Sequence, residues 1–284
     1  MTGRELRESC IAYIADRRCP DGGYCFYRLN EPNAADTFFA LDILRLFGAV
    51  DADPATARWL LSRQQDDGRY PVFETGYYAL LALGILRTPP RYDPAPWVRS
   101  VVPPAPGAER PVESESALHR PYLYARLCRH TGIRIAPAVR VGLLAAVHAS
   151  RTPEGGHATL VEASQALAIR AAVGAPVCGD GAAAFLQRCT HPEYGYVNVP
   201  GTSPAYLEHV AAGVAAARLL EVTPSPAAGP FVLKCLTPAG GFARSVFGGT
   251  ATLETTWTAV RILRLIDTGH DSLRVSDEKR MGVL

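Results

Sequence analysis

The sequence predicts an all-α protein, an (α/α)6 toroid in which six helical hairpins close into one ring. Three observations carry this reading. A proline–glycine–aromatic element recurs along the chain, a second helix opens at a near-constant offset behind it, and the two helices of each pair differ in polarity. Four copies of the element are plain: Pro20-Asp-Gly-Gly23-Tyr24, Pro153-Glu-Gly-Gly156-His157, Pro192-Glu-Tyr-Gly195-Tyr196 and Pro238-Ala-Gly-Gly241-Phe242. Asp66-Asp67-Gly68-Arg69-Tyr70 is a variant, and Gly107 falls where a degenerate sixth belongs. Self-similarity at a period near 45 residues marks a helical-repeat architecture.

Each turn follows a short amphipathic run, such as Ala57-Arg58-Trp59-Leu60-Leu61 or Phe185-Leu186-Gln187. Proline and glycine stop that outgoing helix and reverse the chain. The second helix then starts near an acid: Asp36, Glu74, Glu115, Glu162, Glu208 and Glu254. From Glu115 onward the acids are spaced 47, 46 and 46 residues apart. An acid in the first turn meets exposed N–H groups and the positive end of the helix dipole. The second helices are Ala-rich and nearly apolar all round, so they are expected to be buried, while the first helices carry charge and face solvent. A linear solenoid would need polar capping repeats, whereas the last repeat here is the most apolar and aromatic, so the ring is expected to close.

Residues 1–269 are expected to form one domain, followed by a polar tail over 270–284. The proline-rich stretch from Thr88 to Pro111 reads as a long connection inside the third unit. Charge is balanced, with 29 basic and 27 acidic residues and no like-charge run, which argues against a nucleic-acid partner. There is no run of 18 apolar residues to span a bilayer, so at most peripheral membrane contact is expected. The N-terminus lacks a secretory profile and the seven cysteines show no CxxC pair, which predicts a cytoplasmic protein with reduced thiols.

The segment Trp59-Leu60-Leu61-Ser62-Arg63-Gln64-Gln65-Asp66-Asp67-Gly68-Arg69-Tyr70 resembles the glutamine–aromatic motif of terpene cyclases. Gly240-Gly241-Phe242 with Leu253-Glu254-Thr255-Thr256-Trp257 resembles the repeat of protein prenyltransferase β subunits. Over about residues 5–268 the chain is thus similar to the prenyltransferase and squalene-cyclase repeat family. The resemblance implies an apolar cavity for an isoprenoid-type small molecule. It also implies a protein partner subunit of the kind that family β chains take.

The family's catalytic signatures are altered here. Class II cyclases carry DxDDT at a helix start, and the matching stretch is Asn33-Ala34-Ala35-Asp36-Thr37, with alanine at the proton-donating position. The prenyltransferase zinc set, Asp-x-Cys with a later His, meets Asn33 and Ala35 at its first two positions. No cofactor is therefore expected; zinc and magnesium stay open, although neither finds a convincing ligand set. The Asp21–Tyr27 segment belongs to a turn and lacks ligand spacing, and Asp66-Asp67 likewise sits in a repeat turn.

Candidate catalytic residues are Asp36, Glu254 and His209. Asp36 reads either as a general acid in an apolar cavity or as a helix-start acid like those of the other units. His209 reads as a structural histidine or as a proton acceptor and head-group ligand. Phe38, Phe39, Tyr77, Tyr78, Tyr122, Tyr206 and Trp257 are candidate substrate-binding rings, able to stabilise a cationic intermediate by about 1–2 kcal/mol each. Arg28 and Arg244 lie in loops where the family places cations for a diphosphate. Two functions stay open: an isoprenoid-handling enzyme, cyclase-like or prenyltransferase-like, with a non-standard site, or a non-catalytic ligand-binding or scaffold subunit.

Overall fold

The computed structural model describes residues 2–26, 30–103, 116–152, 156–177 and 181–267. Among these the chain forms twelve helices that alternate between two kinds. The odd-numbered ones are α1 (Gly3–Ala15), α3 (Pro54–Leu61), α5 (Ala95–Ser100), α7 (Pro137–Ala149), α9 (Ala182–Arg188) and α11 (Ala228–Lys234). The even-numbered ones are α2 (Ala34–Leu46), α4 (Phe73–Ile85), α6 (His119–Thr131), α8 (Leu160–Ala172), α10 (Leu207–Leu219) and α12 (Leu253–Ile266). The even helices have nearly one length, 13 or 14 residues, or about 20 Å at the α-helical rise. They also hold most of the core: α2 buries Phe38, Phe39, Leu41 and Ile43 among others, whereas α7, of the same length, buries only Leu143 and Val147.

The recurring turn is one local structure. The residue that opens it and the aromatic that closes it pair antiparallel at Arg18 with Tyr24, Arg151 with His157, and Leu236 with Phe242. The same pairing lengthens into a two-stranded ribbon, β1 (Thr190–His191) with β2 (Gly195–Tyr196). Inside each turn the chain closes on one repeated bond: Cys19 N to Gly23 O, Thr152 N to Gly156 O, and Thr237 N to Gly241 O, at 2.9 to 3.0 Å. Gly195 shows why glycine is needed there. Its φ is 83°, and a Cβ would lie 2.7 Å from the Ala228 backbone.

The first-turn acids fall into two registers. Asp36 and Glu162 are third residues of their helices, behind the capping side chains of Asn33 and Thr159. Glu74, Glu208 and Glu254 are second residues, and the third place is taken by Thr75, His209 and Thr255. The regular spacing therefore conceals a shift by one position. In helix register His209 corresponds to Asp36, and Glu254 corresponds to Ala35. Glu115 and Gly107 lie outside the described residues, as do the tail and the end of the proline-rich connection.

The described residues divide into two compact units, one from the stretches up to 100 and from 234 on, the other from the stretches between 101 and 233. In the first, α2 lies between α4 and α12, and α3 packs on α4. The last even helix thus sits beside the first, a return of the chain to its start that an open solenoid does not make. Tyr13 Oη reinforces it from α1 by donating to Ala251 O at 2.8 Å. In the second unit α8 lies between α6 and α10, with α7 and α9 packed against it. The stretch expected to be connection contains α5, whose buried Trp97 packs on Tyr70 at 5.1 Å and on Phe73 at 6.2 Å.

Candidate functional site

In the first unit, four rings from three helices meet. Phe38 and Phe39 of α2, Tyr78 of α4 and Trp257 of α12 have centroid separations of 5.0 to 5.7 Å. Phe38 and Trp257 are fifth residues of their helices and Tyr78 is a sixth, so the rings come from matching positions of the three helices. Tyr77 extends the cluster, 4.9 Å from Tyr78 and stacked on Phe73 at 6.1 Å. Phe38 and Phe39 are 3 and 4 % exposed, while Tyr78 and Trp257 are partly open.

One turn further along α2 lies a residue that the sequence reading missed. Asp42 is 7 % exposed, and its carboxylate accepts from Trp257 Nε1 at 2.7 Å and from Arg45 Nε at 2.7 Å. The Arg261 guanidinium stands 4.5 Å from the Trp257 ring centroid. A buried carboxylate is tolerable only with such partners. Here it fixes the indole in place. The signal available in the sequence was an acid in the middle of the otherwise apolar run Phe38–Ile43.

Asp36 stands at the N-terminal end of the same helix. Its Oδ2 accepts from Asn33 Nδ2 at 2.6 Å and from the Phe26 backbone N–H at 3.1 Å, while its own N–H donates to Asn33 Oδ1 at 2.8 Å. Among the described residues Oδ1 makes no hydrogen bond. Burial pushes its pKa up, against the opposing pull of Asn33, the Phe26 N–H and the Arg17 charge. Arg17 is buried, 3.4 Å from the Tyr13 ring centroid, and donates through Nη1 to Tyr13 O at 2.7 Å. The site therefore sets a half-buried carboxyl, its pKa raised by burial, within the electrostatic influence of a guanidinium also withdrawn from water.

Glu254, the other acid singled out, is exposed on the second residue of α12, and Arg244 is exposed in the preceding loop. Arg28 lies outside the described residues. His209, Tyr206 and Tyr122 belong to the second unit. There His209 Nδ1 accepts the Tyr206 backbone N–H at 3.3 Å, which leaves the ring proton on Nε2. The two rings meet edge-on at 5.3 Å. Tyr122 is joined to Arg126, whose Nη1 donates to the phenol oxygen at 3.3 Å.

A cleft of about 660 Å³ opens in the first unit, lined by Asn33, Ala34, Trp59, Arg63, Pro71 and Thr75 among others. Its lining includes none of the clustered rings. It touches the site only through Asn33, the side chain that caps α2 and holds Asp36. The donor set for zinc does not fit at this helix start. The Asn33 amide is committed to Asp36, and Ala35 has no donor atom. Among the described residues no group of three His, Cys, Asp or Glu side chains could hold a metal ion. No described helix is long and apolar enough to cross a membrane.

Paired helices in two alternating kinds, the last packed beside the first, define an α/α-toroid protein. The model of the prenyltransferase α/α-toroid domain matches residues 2–90 and 214–283, more than half of the chain. The chain belongs to that family. A solved structure of Candida albicans protein geranylgeranyltransferase-I complexed with GGPP aligns with it at a TM-score of 0.71 and 13 % identity. The alignment covers 93 % of this chain and 92 % of the other. At that identity it speaks for the fold alone. No curated protein sequence matches the chain.

Proposed function

We propose that this protein is an isoprenoid-handling enzyme, cyclase-like or prenyltransferase-like, that works without the family's usual acid and zinc signatures. The observation that carries the reading is the ring cluster of Phe38, Phe39, Tyr78 and Trp257, locked by Asp42. A rigid aromatic wall suits an unsaturated hydrocarbon chain and attracts a developing carbocation. The structural relative's bound GGPP is an isoprenoid, which supports the same ligand class. Asp36 is the group proposed for proton transfer, on the support of its open Oδ1 and of the burial that raises its pKa. His209 and Glu254 stand as secondary candidates.

Incubation with farnesyl and geranylgeranyl diphosphates, squalene and epoxysqualene, followed by mass spectrometry, tests the activity. Turnover of at least one substrate, abolished in Asp36→Asn, is expected. No product and no retained lipid across the panel would overturn the proposal.

One observation favours a second reading, a non-catalytic ligand-binding or scaffold subunit with a protein partner. The four rings pack on one another at 5.0 to 5.7 Å, and the cleft of the same unit is not lined by any of them. Retained lipid without turnover, together with co-purification of a partner from the native host, distinguishes it.

A further inference from the structure

The cleft of about 660 Å³ in the first unit is not lined by the clustered rings, and its chemistry differs from theirs. Its volume falls within the range of about 300–1,000 Å³ usual for small-molecule sites. Its walls are held in place. Gln64 is 5 % exposed and commits its whole amide to the turn. Nε2 donates to Gly68 O at 3.0 Å and to Tyr92 O at 2.9 Å, and Oε1 accepts the Tyr92 N–H at 3.0 Å. Ser62 Oγ donates to Trp59 O at 2.7 Å and accepts from Arg63 Nη2 at 2.9 Å. The Arg63 guanidinium stands 5.3 Å from the Trp59 ring centroid. An indole and a guanidinium are thus set in the cleft by the protein's own bonds, which lowers the ordering cost of binding.

The lining indicates the class of molecule that fits. Arg63 is the one cation among the lining residues and Asp66 the one acid, so a polyanion finds no excess of positive charge there. Asn33, Ser62, Gln64, Gln65 and Thr75 add amides and hydroxyls, which a hydrocarbon chain would cover without pairing. Among the described residues Arg63 Nη1, Asp66 Oδ2 and the side chains of Gln65 and Thr75 make no hydrogen bond. The first only donates, the second only accepts, and the other two do both. A ligand that displaces water from them must therefore donate and accept around its edge. The half-buried indole of Trp59 offers it an apolar face as well. A pyranose ring has that form, with hydroxyls at its rim and a face of C–H bonds.

We propose that this cleft binds a neutral sugar in its pyranose form, with Trp59 as the stacking surface and Arg63 as a principal hydrogen-bond donor. The site lies wholly within the first unit and is independent of the isoprenoid reading. Recognition comes from hydrogen bonding, and a ring that lacks the hydroxyls leaves the lining groups unpaired.

Calorimetric titration of the whole chain tests this, with the methyl pyranosides of glucose, galactose and mannose, and with cyclohexanol and inorganic pyrophosphate as controls. At least one pyranoside should bind saturably with a Kd below about 10 mM. Both controls should bind about 10-fold or more weakly than that sugar. Arg63→Ala and Trp59→Leu should each weaken sugar binding by about 10-fold, with the fold checked by circular dichroism. No saturable binding of any pyranoside overturns the proposal. So does tighter binding of pyrophosphate, which would make the cleft an anion site, or equal binding of cyclohexanol, which would leave only the indole at work. Sugar binding undiminished in either folded variant also overturns it, because the sugar is then held elsewhere. Arg63 is exposed, so its variant decides even if Trp59→Leu fails to fold. None of these failures touches the isoprenoid reading, which its own substrate panel decides.

Discussion

Asp36 and Asp42 sit on the same helix and are held in different ways. Asp42 is committed at both oxygens, to Trp257 and to Arg45. Removing its carboxylate strands two donors, so Asp42→Ala should lower unfolding stability by about 3 kcal/mol in urea titration, and Asp42→Asn by less. Asp36 keeps an open oxygen, and burial raises its pKa above 3.8 despite Asn33, the Phe26 N–H and Arg17. The folded chain thus holds that proton more tightly than the unfolded one. The resulting stabilisation is fully present below the unfolded value and is lost as pH rises through the folded value. Asp36→Asn abolishes the titration while keeping an acceptor for Phe26. Denaturation curves should show it gaining on the wild type as pH rises above 3.8 and losing that advantage below. An advantage that grows toward acid would contradict the assignment. Attention to helix-start acids led the sequence reading to Asp36 but away from Asp42. The former repeats along the chain, whereas the latter gains its meaning from an indole 215 residues away, a contact that no local pattern encodes.

Between turn and helix, one device appears in the first and last repeats. The Tyr24 N–H donates to Thr37 Oγ1, and the Phe242 N–H donates to Thr256 Oγ1, both at 3.0 Å. Both threonines are fourth residues of their helices and fully buried. Thr37→Val and Thr256→Val keep the shape and orphan a buried N–H, so each should cost about 1–3 kcal/mol in thermal or chemical unfolding. The exposed Glu254, only two residues from Thr256, should tolerate alanine within about 0.5 kcal/mol. Equal effects at the two positions would mean that the helix-start acids, rather than the threonines, tie turn to helix. The turns themselves were legible because proline, glycine and a ring at fixed offsets leave few alternatives. α5 was not legible. At six residues between prolines it is too short for helical periodicity to show, and only burial of Trp97 and Val98 marks it as an element.

At the scale of the whole molecule, the sequence supplied the alternation of helix types, their number and the expectation of a chain that returns to its start. The packing of α12 on α2 meets that last expectation through Trp257, Phe38, Phe39 and Asp42. The same contact creates the aromatic wall on which the proposed function depends, so architecture and the proposed ligand binding share one set of side chains. Family membership came from the repeat, but the chemistry did not, because the signature positions of the relatives are Asn33 and Ala35 here. The most direct test is a tryptophan-fluorescence titration with farnesyl and geranylgeranyl diphosphates, in the wild type and in Trp257→Phe. The chain has three tryptophans, and the account predicts a saturable change that is largely lost when Trp257 is replaced. No saturable change in the wild type, or an undiminished one in the variant, would contradict it.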